Sequence, residues 1–350
     1  MIVGLHMPSA TIGARRIRTP PARGSGRRVE QSARWSDEVA RTAAAFSVLL
    51  DGGWSPPLPG GGSTAARWSA LAELGARDLP LARLAEGHAD AVAVLAELDG
   101  PEPGPGARLG VWAAEPPTGR VAARRVDGGW VLTGTKQWCS GARACTGALV
   151  TAHADDGRRI FLVDLAAPGV SPRPGSWAAP GMAGSDTVDV ELRDVPAQAV
   201  GGPRAYLDRP GFWHGGIGVA AVWAGGARGV AAALAGVVAA GPDPHRDAAW
   251  GSVDVALHAL DAALAVAAAE VDADPHDDAG TAAGRAHRVR GLAARTGLEV
   301  LATVGRALGA GPAAHDGAHA ARCADLEVYL RQHHGDRDLA ALADDLRARR

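Results

Sequence analysis

The feature that most restricts the fold of this sequence is its hydrophobic period, which changes twice along the chain. Apolar residues recur at helical spacing from about residue 63, alternate with polar residues from about 107 to 203, and return to helical spacing from about 215. About a hundred residues of closely spaced strands, with no helix among them, favour an antiparallel barrel or sandwich. This order predicts an α+β protein with an N-terminal helical domain, a central antiparallel β-barrel domain and a C-terminal helical bundle.

Composition marks the boundaries between these parts. Residues 101–106 (PEPGPG) cannot continue a helix, and they separate the first helices from the strands. Residues 1–35 carry seven arginines and one acid, which is typical of a disordered leader, with a basic nucleic-acid arm as the alternative. We therefore predict a leader at 1–35 and domains at 36–106, 107–210 and 211–350.

Turn signals support strands in the middle and long helices at the end. Asp127-Gly128 and Asp156-Gly157 each separate two strand-like runs, as hairpin turns do. In the last part, breaks at Gly241-Pro242, Asp274-Pro275 and residues 309–312 divide the chain into helices of roughly 20 to 28 residues. Helices of that length pack as a bundle.

Charge and cysteine content exclude several classes of protein. Thirty-six basic and 38 acidic residues give a formal charge of -2, which argues against a nucleic-acid-binding surface. Gly, Arg or Asp interrupts every apolar run before the roughly 20 residues of a membrane span, so no membrane segment is predicted. Three cysteines make no disulfide framework and no metal-binding pair, which predicts a cytoplasmic protein.

Three motifs in the middle region share their order and spacing with one family. Residues 129–142 read GWVLTGTKQWCSGA, residues 112–116 read WAAEP, and residues 181–187 read GMAGSDT, followed by Val195-Pro196. Over roughly residues 60 to 340 the chain resembles the acyl-CoA dehydrogenase family of flavoproteins. The resemblance implies an acyl-CoA dehydrogenase-like fold with FAD at the junction of the β domain and the C-terminal bundle.

The motif residues are the candidates for holding this FAD. Trp138 offers a flat apolar wall for the flavin ring, and Ser140 and the backbone around Cys139 offer polar contacts. An isolated tryptophan in a sheet is more often a core residue, which is the alternative for Trp138. Trp112 and Ala114 lie in the strand that contacts the flavin in the family. Ala114 stands where the family usually has Thr or Ser, so one hydroxyl contact is missing.

A segment near the end implies an oligomer. Residues 305–311 (GRALGAG) resemble the family segment that contacts the adenosine part of FAD in a partner subunit, with Arg306 at the usual Gln and Gly309 at a motif glycine. The match implies a homodimer or homotetramer. An ordinary helix end at glycine is the alternative.

The catalytic glutamate of the family is absent. The corresponding segment contains His333 and His334, and the other position used by some members, near Val219, has no carboxylate either. Histidine accepts a proton near neutral pH, so we expect His334 or His333 to be the base, with a surface histidine pair as the alternative. Candidate substrate contacts are Phe212 and His214, at the start of the first bundle helix, and Ser185 in the third motif. His315 and His319 lack further ligands, so no metal site is predicted.

The resemblance implies an FAD-dependent oxidoreductase that dehydrogenates an acyl thioester, such as an acyl-CoA, and passes electrons to an electron-transfer flavoprotein. The missing glutamate keeps two alternatives open. One is a flavin-dependent monooxygenase that receives reduced flavin from a separate reductase. The other is a degenerate homologue that binds flavin or serves as a scaffold without catalysis.

Overall fold

The computed structural model describes residues 25–115 and 119–349, and for residues 25–36 it describes the backbone alone. Three helices come first: α1 (Ser25–Asp51), α2 (Thr64–Arg77) and α3 (Leu79–Glu97). The leader expected at 1–35 lies mainly outside the described residues. Its last part, residues 25–35, lies within α1, because the sequence from Arg27 to Asp51 has no glycine or proline and is rich in good helix formers.

Seven strands follow among the described residues. They are β1 (Leu109–Trp112), β2 (Val121–Val126), β3 (Gly129–Cys139), β4 (Gly147–Ala154), β5 (Gly157–Asp164), β6 (Val170–Arg173) and β7 (Val188–Val200). Both predicted Asp-Gly turns join antiparallel neighbours, β2 with β3 and β4 with β5. The alternation of Val188, Val190 and Leu192 is the inward face of β7.

The strand pairings differ in one respect from the antiparallel arrangement that the sequence predicts. β3 pairs with β7, β7 with β5, and β5 with β4, all antiparallel. β1 and β2, however, both run parallel to β4, with Leu109 opposite Gly147 and Ala122 opposite His153. Parallel neighbours need a crossover, which local turn signals do not reveal. The sheet encloses its own apolar cluster, which includes Trp112, Leu132, Val150, Phe161, Val190 and Val195.

The rest of the described chain is helical: α4 (Ala205–Asp208), α5 (Gly211–Ala240), α6 (Pro244–Ala273), α7 (Ala282–Leu308), α8 (Ala310–His315), α9 (Gly317–Tyr329) and α10 (Asp336–Ala348). The three long helices end at the predicted breaks. α5 is the central helix, and it packs against α2 through glycine: a methyl group at Gly225 would lie 2.0 Å from the Ala72 carbonyl oxygen. The helical core therefore depends on close backbone contact as well as on apolar side chains.

Two described helices, α5 and α6, are long and apolar enough to cross a membrane by length and composition alone. The expectation that no segment meets this test is therefore wrong. Alanine and glycine in these helices count as apolar, and each helix has an 18-residue window with no more than two charged residues. Most of that window in α5 is buried in the helical core, whereas most of it in α6 is exposed.

Candidate active site

Trp138 lies at an irregularity of strand β3. The register of β3 against β7 shifts between Lys136 and Cys139, and Trp138 within this bulge has a left-handed backbone with φ of 58°. Its side chain is 54% exposed, whereas the aromatic side chains of Trp112 and Phe161 in the same sheet are buried. A bulky residue adopts this backbone only at a cost, and such strain is common at functional sites. The bulge thus presents an indole ring at the edge of the sheet.

The neighbours of Trp138 anchor the bulge from inside. The buried Lys136 ammonium donates hydrogen bonds to the Thr151 carbonyl oxygen at 2.9 Å and to its hydroxyl at 2.8 Å, and burial lowers the pKa of Lys136 to about 8. The Cys139 thiol lies in the sheet core, where burial raises its pKa, and it donates to the Lys136 carbonyl oxygen at 3.3 Å. β-Strand alternation turns the Cys139 side chain inward, and the contact predicted for the backbone around Cys139 stays a prediction.

A chain of hydroxyl groups runs inward from Ser140. The Ser185 hydroxyl donates to the Met182 carbonyl oxygen at 2.7 Å and lies 2.7 Å from the Thr187 hydroxyl, which is 2.9 Å from the Ser140 hydroxyl. Since the Ser185 proton is used, Thr187 donates to Ser185 and Ser140 donates to Thr187. Ser140 therefore presents only acceptor lone pairs outward.

Ser185 and Trp112 support the site and do not line it. Ser185 is completely buried, so the prediction of a substrate contact there is wrong. Its hydroxyl instead holds the loop before β7 through the hydrogen bond to the Met182 carbonyl oxygen. Trp112 is also buried in the sheet, and its indole N–H donates to the Ser140 carbonyl oxygen at 2.9 Å. The prediction that Trp112 contacts the cofactor directly is wrong, because it faces the core and positions Ser140 instead. Thr187, which links the two serines, is a site residue that sequence reasoning missed, although it stands in the third motif.

Beyond β1, Ala114 is half-buried and Glu115 forms an ion-pair cluster. A Glu115 carboxylate oxygen lies 2.9 Å from Arg158 Nε, 3.9 Å from Lys136 Nζ and 3.2 Å from the Thr151 hydroxyl that donates to it. Sequence reasoning did not find this cluster, because its members come from three different strands and the loop after β1. The cluster fixes the end of β1 and with it the position of Ala114.

The loop before β7 connects the sheet to the helices. A 3-10 turn at Ala183–Ser185 has left-handed residues on both sides, Met182 with φ of 61° and Asp186 with φ of 48°. The Asp186 carboxylate accepts from the Arg143 backbone N–H at 2.9 Å and from its guanidinium. The Met182 N–H donates to the buried Asp325 carboxylate of α9 at 2.5 Å, and burial raises the pKa of Asp325 to about 7.

His333 and His334 follow α9 and have opposite proton positions. The His333 Nδ1 atom accepts from the Gly335 N–H at 3.2 Å, so the neutral ring carries its proton on Nε2, which is buried without a hydrogen-bond partner. The His334 Nδ1 atom lies 3.2 Å from an Asp338 carboxylate oxygen, so its proton is on Nδ1 and Nε2 is free to accept. The His334 side chain is 54% exposed, against 9% for His333. His333 is thus arranged as a donor, and His334 as a base.

Arg290 holds the backbone around His333. Its guanidinium donates to the Gly216 carbonyl oxygen at 2.8 Å and to the Gln332 carbonyl oxygen at 3.2 Å, and it lies 4.8 Å above the Trp223 ring. Burial lowers the pKa of His333, and the charge of Arg290 acts in the same direction, against the opposing charge of Asp338. The ring is therefore held neutral. Arg290 was not predicted, because arginine is common throughout this sequence.

The two residues predicted at the start of α5 have structural roles. Phe212 packs edge-on against Tyr206, with ring centroids 5.5 Å apart, and against Trp213, 5.1 Å apart. His214 is buried, and its Nε2 atom lies 3.2 Å from the Pro275 carbonyl oxygen, to which it donates. Burial also lowers the pKa of His214. The prediction of His214 as a substrate contact is wrong: it fastens α5 to the connection between α6 and α7.

Arg306 and Gly309 lie at the exposed end of α7. The Arg306 guanidinium donates to the Thr303 hydroxyl at 3.1 Å, and Gly309, with φ of 67°, ends the helix. A second chain can reach this surface, so the contact that the sequence predicts for a partner subunit stays a prediction. Within the described residues no group of three or more His, Cys, Asp or Glu side chains is arranged to hold a metal ion.

Helices α3 and α9 connect the sheet part of the site to the histidines. A methyl group at Gly141, just after Ser140, would lie 3.0 Å from Leu84 of α3, and one at Gly181 would lie 2.1 Å from the Ala324 carbonyl oxygen of α9. Two cavities, of about 890 and 490 Å³, lie away from these residues, around residues 101–107. They adjoin none of the residues that carry the chemistry described above.

The sequence and the fold of this chain are similar to those of known proteins. Residues 102–195 match the acyl-CoA dehydrogenase middle domain. The crystal structure of TdsC from Paenibacillus sp. A11-2, in complex with FMN and indole, superposes with a TM-score of 0.69 over 91% of this chain and 98% of TdsC, at 19% identity. Glutaryl-CoA dehydrogenase from Mycobacterium smegmatis superposes with a TM-score of 0.68 over 87% of this chain and 86% of that chain, at 18% identity. The middle part of the chain is therefore similar to the acyl-CoA dehydrogenase middle domain, and the chain shares the fold of these two structures.

A curated relative adds a second activity to the comparison. The dibenzothiophene monooxygenase of Rhodococcus erythropolis is 28% identical to this chain over 222 residues, which is 53% of this chain and 53% of that protein. The matched part therefore spans about half the length of this relative. Proteins of the acyl-CoA dehydrogenase fold thus include both dehydrogenases and monooxygenases, and flavin is bound in TdsC.

The residues around the bulge suit a flavin ring. A planar heterocycle needs an apolar wall and a few fixed hydrogen-bonding groups. Trp138 is an exposed indole face, and Ser140, with its outward lone pairs, lies two residues further along the strand. Ala114 contributes no side-chain hydrogen bond. The bulge could therefore offer an apolar wall and one polar contact to such a ring, and the cofactor role of Trp138 and Ser140 stays a prediction.

Proposed function

We propose that this protein is a flavin-dependent monooxygenase that uses reduced FMN from a separate reductase. The reaction converts substrate, O2 and FMNH2 into oxygenated substrate, FMN and water. The observation that carries this proposal is the tautomer of His333, which offers a buried N–H donor in the segment that corresponds to the carboxylate base of the dehydrogenases. A donor at this position suits oxygen chemistry, whereas removal of an α-proton needs an acceptor.

Each residue of the proposed site would have its own role. Trp138 and Ser140 would hold the flavin ring, and the reduced flavin, when bound, supplies the electrons that activate O2. His333 holds a proton on Nε2, and Arg290 keeps this ring in place through the Gln332 carbonyl group. His334, supported by Asp338, accepts a proton released by the substrate at its free Nε2 atom.

The relative and the neighbour support this proposal over the dehydrogenase that the sequence favours. The curated relative is a monooxygenase, and TdsC holds FMN. We propose FMN as the flavin, with FAD as the alternative if Arg306 and Gly309 of a second copy bind an adenosine group. Heat release of the flavin after reconstitution with both compounds, followed by chromatography, separates the two cases.

Dehydrogenation of an acyl thioester is the second candidate, because glutaryl-CoA dehydrogenase shares the fold and His334 can act as a base. It would need an electron acceptor such as an electron-transfer flavoprotein. The deciding experiment supplies the protein with FMN, a flavin reductase and ¹⁸O2, and in parallel with FAD and acyl-CoAs without oxygen. One ¹⁸O atom in an organic product supports the monooxygenase. Bleaching of the oxidised flavin by a thioester supports the dehydrogenase. If neither outcome is observed, the scaffold alternative remains.

Replacement of His333 tests its role as a donor. Glutamine places an N–H near the position of Nε2, whereas leucine fills the space without a donor. We expect His333→Leu to lower the oxygenation rate by about 10²- to 10⁴-fold and His333→Gln to retain activity within about tenfold of the wild type. Stopped-flow measurement of product formation checks this. Equal loss in both variants would mean that His333 acts as a base.

We also propose that the protein is a cytoplasmic homodimer or homotetramer that uses the outer face of α6. Val255 and Val266 on this face are 70% and 59% exposed, and the intervening exposed residues include Ala259 and Ala262. Apolar residues spaced by three and four positions suit packing against another helix.

A further inference from the structure

The hydroxyl groups of Ser140, Thr187 and Ser185 form a relay that has only one direction. The relay ends at the Met182 carbonyl oxygen, which accepts from the Ser185 hydroxyl at 2.7 Å and has no proton of its own. The 2.7 Å contact between Ser185 and Thr187 therefore uses the Thr187 proton, and the 2.9 Å contact between Thr187 and Ser140 uses the Ser140 proton. The backbone carbonyl at one end of the relay thus decides that Ser140, at the other end, cannot donate outward.

Burial preserves this direction. Ser185 is completely buried, and Thr187 and Ser140 are buried as well, so bulk water does not compete for the relay protons. A reversed relay would also leave the buried Met182 carbonyl oxygen without the Ser185 donor, which is costly away from solvent. The Ser140 hydroxyl is therefore held as an acceptor, whereas an ordinary serine hydroxyl rotates and can donate or accept.

The carbonyl at the end of the relay is itself fixed. Met182 has a left-handed backbone with φ of 61°, and its N–H donates to the buried Asp325 carboxylate of α9 at 2.5 Å. The preceding residue is equally constrained, because the Gly181 carbonyl oxygen accepts from the Trp177 indole N–H at 3.1 Å and a methyl group at Gly181 would lie 2.1 Å from the Ala324 carbonyl oxygen. Rotation of the Met182 backbone away from Ser185 would break these contacts with α9.

Oxidised and reduced flavin differ in the hydrogen bonds that they offer to such an acceptor. The oxidised ring has one N–H group, at N3, and its other ring nitrogens and carbonyl oxygens along the polar edge are acceptors. Reduction by two electrons adds a hydrogen at N5, so the reduced ring gains a donor. A hydroxyl that can only accept pairs with an N–H of the ring, whereas it places lone pair against lone pair when it meets a ring acceptor.

We infer that Thr187 and Ser185 determine which redox state of the flavin this protein prefers: because they hold the Ser140 proton inward, they favour reduced over oxidised FMN. Both are positioning residues that act through Ser140. The inference rests on the proposed function, which places Ser140 beside an FMN ring that arrives in the reduced state. A site of this kind takes up FMNH2 and releases FMN.

The first test measures the preference in the wild-type protein. The full-length protein is titrated anaerobically with FMN and with FMNH2, without substrate, and the midpoint potential of the bound flavin is measured against a reference dye. We expect FMNH2 to bind at least about tenfold more tightly than FMN, which raises the midpoint potential above that of free FMN by about 30 mV for a two-electron couple. Equal affinities, or tighter binding of FMN, would overturn the inference.

Two variants release the Ser140 proton while Ser140 itself stays in place. Thr187→Val keeps the shape of the side chain and removes the acceptor of that proton, and Ser185→Ala leaves Thr187 free to donate to Ser140. In both variants Ser140 can donate outward, so we expect oxidised FMN to bind more tightly and the preference for FMNH2 to fall about tenfold, with a midpoint potential about 30 mV lower.

Matched variants separate the relay from a structural role of the same residues. Thr187→Ser keeps the hydroxyl and is expected to keep the preference. Thr296→Val, which changes a buried threonine of α7, is the control and leaves the preference unchanged. A purely structural role would weaken both redox states equally and leave the midpoint potential where it is. That result in Thr187→Val and Ser185→Ala overturns the inference, and if one of the two variants does not fold, the other decides.

These measurements are independent of the oxygenation experiment. A preference for FMNH2 that depends on Thr187, in a protein that inserts no ¹⁸O into any product, supports the inference and counts against the monooxygenase. Incorporation of ¹⁸O by a protein whose midpoint potential does not respond to Thr187→Val supports the monooxygenase and overturns the inference. A protein that binds flavin in neither redox state overturns both.

Discussion

At the scale of single residues, Trp138 combines a strained backbone with an exposed ring. Its left-handed φ of 58° costs an ordinary residue about 1–2 kcal/mol, and its 54% exposed side chain recovers little of that by packing. A residue with a strained backbone and an exposed aromatic ring is best explained by contact of that ring with a ligand.

Replacing Trp138 therefore separates stability from flavin binding. We expect Trp138→Gly to raise the free energy of unfolding by about 1 kcal/mol, because glycine adopts this φ freely, and to weaken FMN binding at least tenfold. Thermal unfolding and fluorescence titration measure the two effects. Trp138→Ala is the control, since it loses the ring but keeps the strain. A destabilised Trp138→Gly with normal FMN affinity would contradict this view of the bulge.

Asp325 makes the contact between the loop before β7 and α9 sensitive to pH. Burial raises its pKa from the ordinary 3.8 to about 7, so between these values the folded protein binds more protons than the unfolded chain. The free energy of unfolding therefore falls as pH rises from about 4 to 7 and is lowest above pH 7. The Met182 N–H, Glu38 and Asp78 are the other groups that act on this carboxylate.

Asp325→Asn removes this dependence. The amide oxygen can still accept from the Met182 N–H, but the side chain carries no charge to bury. We expect the variant to match the wild type near pH 4 and to exceed its free energy of unfolding at pH 8 by up to about 4 kcal/mol. Urea unfolding across this pH range is the measurement. A variant less stable than the wild type at pH 8 would show that the carboxylate is needed in its charged form.

At the scale of elements, α2 and α5 approach so closely that glycine is required on both. A methyl group at Gly225 would lie 2.0 Å from the Ala72 carbonyl oxygen, and one at Gly75 would lie 2.4 Å from that of Val222. The opposing atoms belong to helix backbones, which cannot move as side chains do. The position of α5, from which Trp223 projects, therefore depends on these contacts.

Two substitutions on the same helix test the requirement. Gly225→Ala is expected to lower the free energy of unfolding by about 2–3 kcal/mol, because the helices must separate. Gly236→Ala, at an exposed position of α5 with no atom within 4 Å of the added methyl, is expected to raise it by about 0.5–1 kcal/mol. Denaturant unfolding gives both values. Similar effects of the two changes would mean that the helices can adjust.

At the scale of the whole molecule, α6 exposes an apolar face that a single chain leaves uncovered. We expect Val255→Asp to dissociate the proposed homo-oligomer, because it adds a charge where the exposed face of α6 is apolar. Sedimentation velocity measures the change. Val48→Asp, which alters a valine that is 73% exposed on α1, is the matched control and leaves the oligomer intact. If the wild type and Val255→Asp sediment equally, the interface does not lie on this face of α6.

The sequence alone determined most of the architecture of this protein. Helical and strand periods, the two Asp-Gly turns and the Gly-Pro breaks act locally, so they placed α5, α6 and α7 and both hairpins close to their observed bounds. The motif around Trp138 and Ser140 implied a flavin site through its resemblance to the acyl-CoA dehydrogenase family, and this assignment stays a prediction. The parallel pairing of β1 and β2 with β4 was not accessible, since crossovers leave no local signal.

The tertiary structure decided what the site residues do. His333 and His334 are equivalent in sequence, and only the Gly335 N–H and the Asp338 carboxylate, each meeting a different ring nitrogen, make one a donor and the other a base. Ser185 and His214 looked available for substrate, but burial and hydrogen bonds to Met182 and Pro275 commit them to the fold. The rings of Trp223 and Tyr329 meet edge-on from helices a hundred residues apart, and contacts over that distance follow from packing and not from sequence spacing.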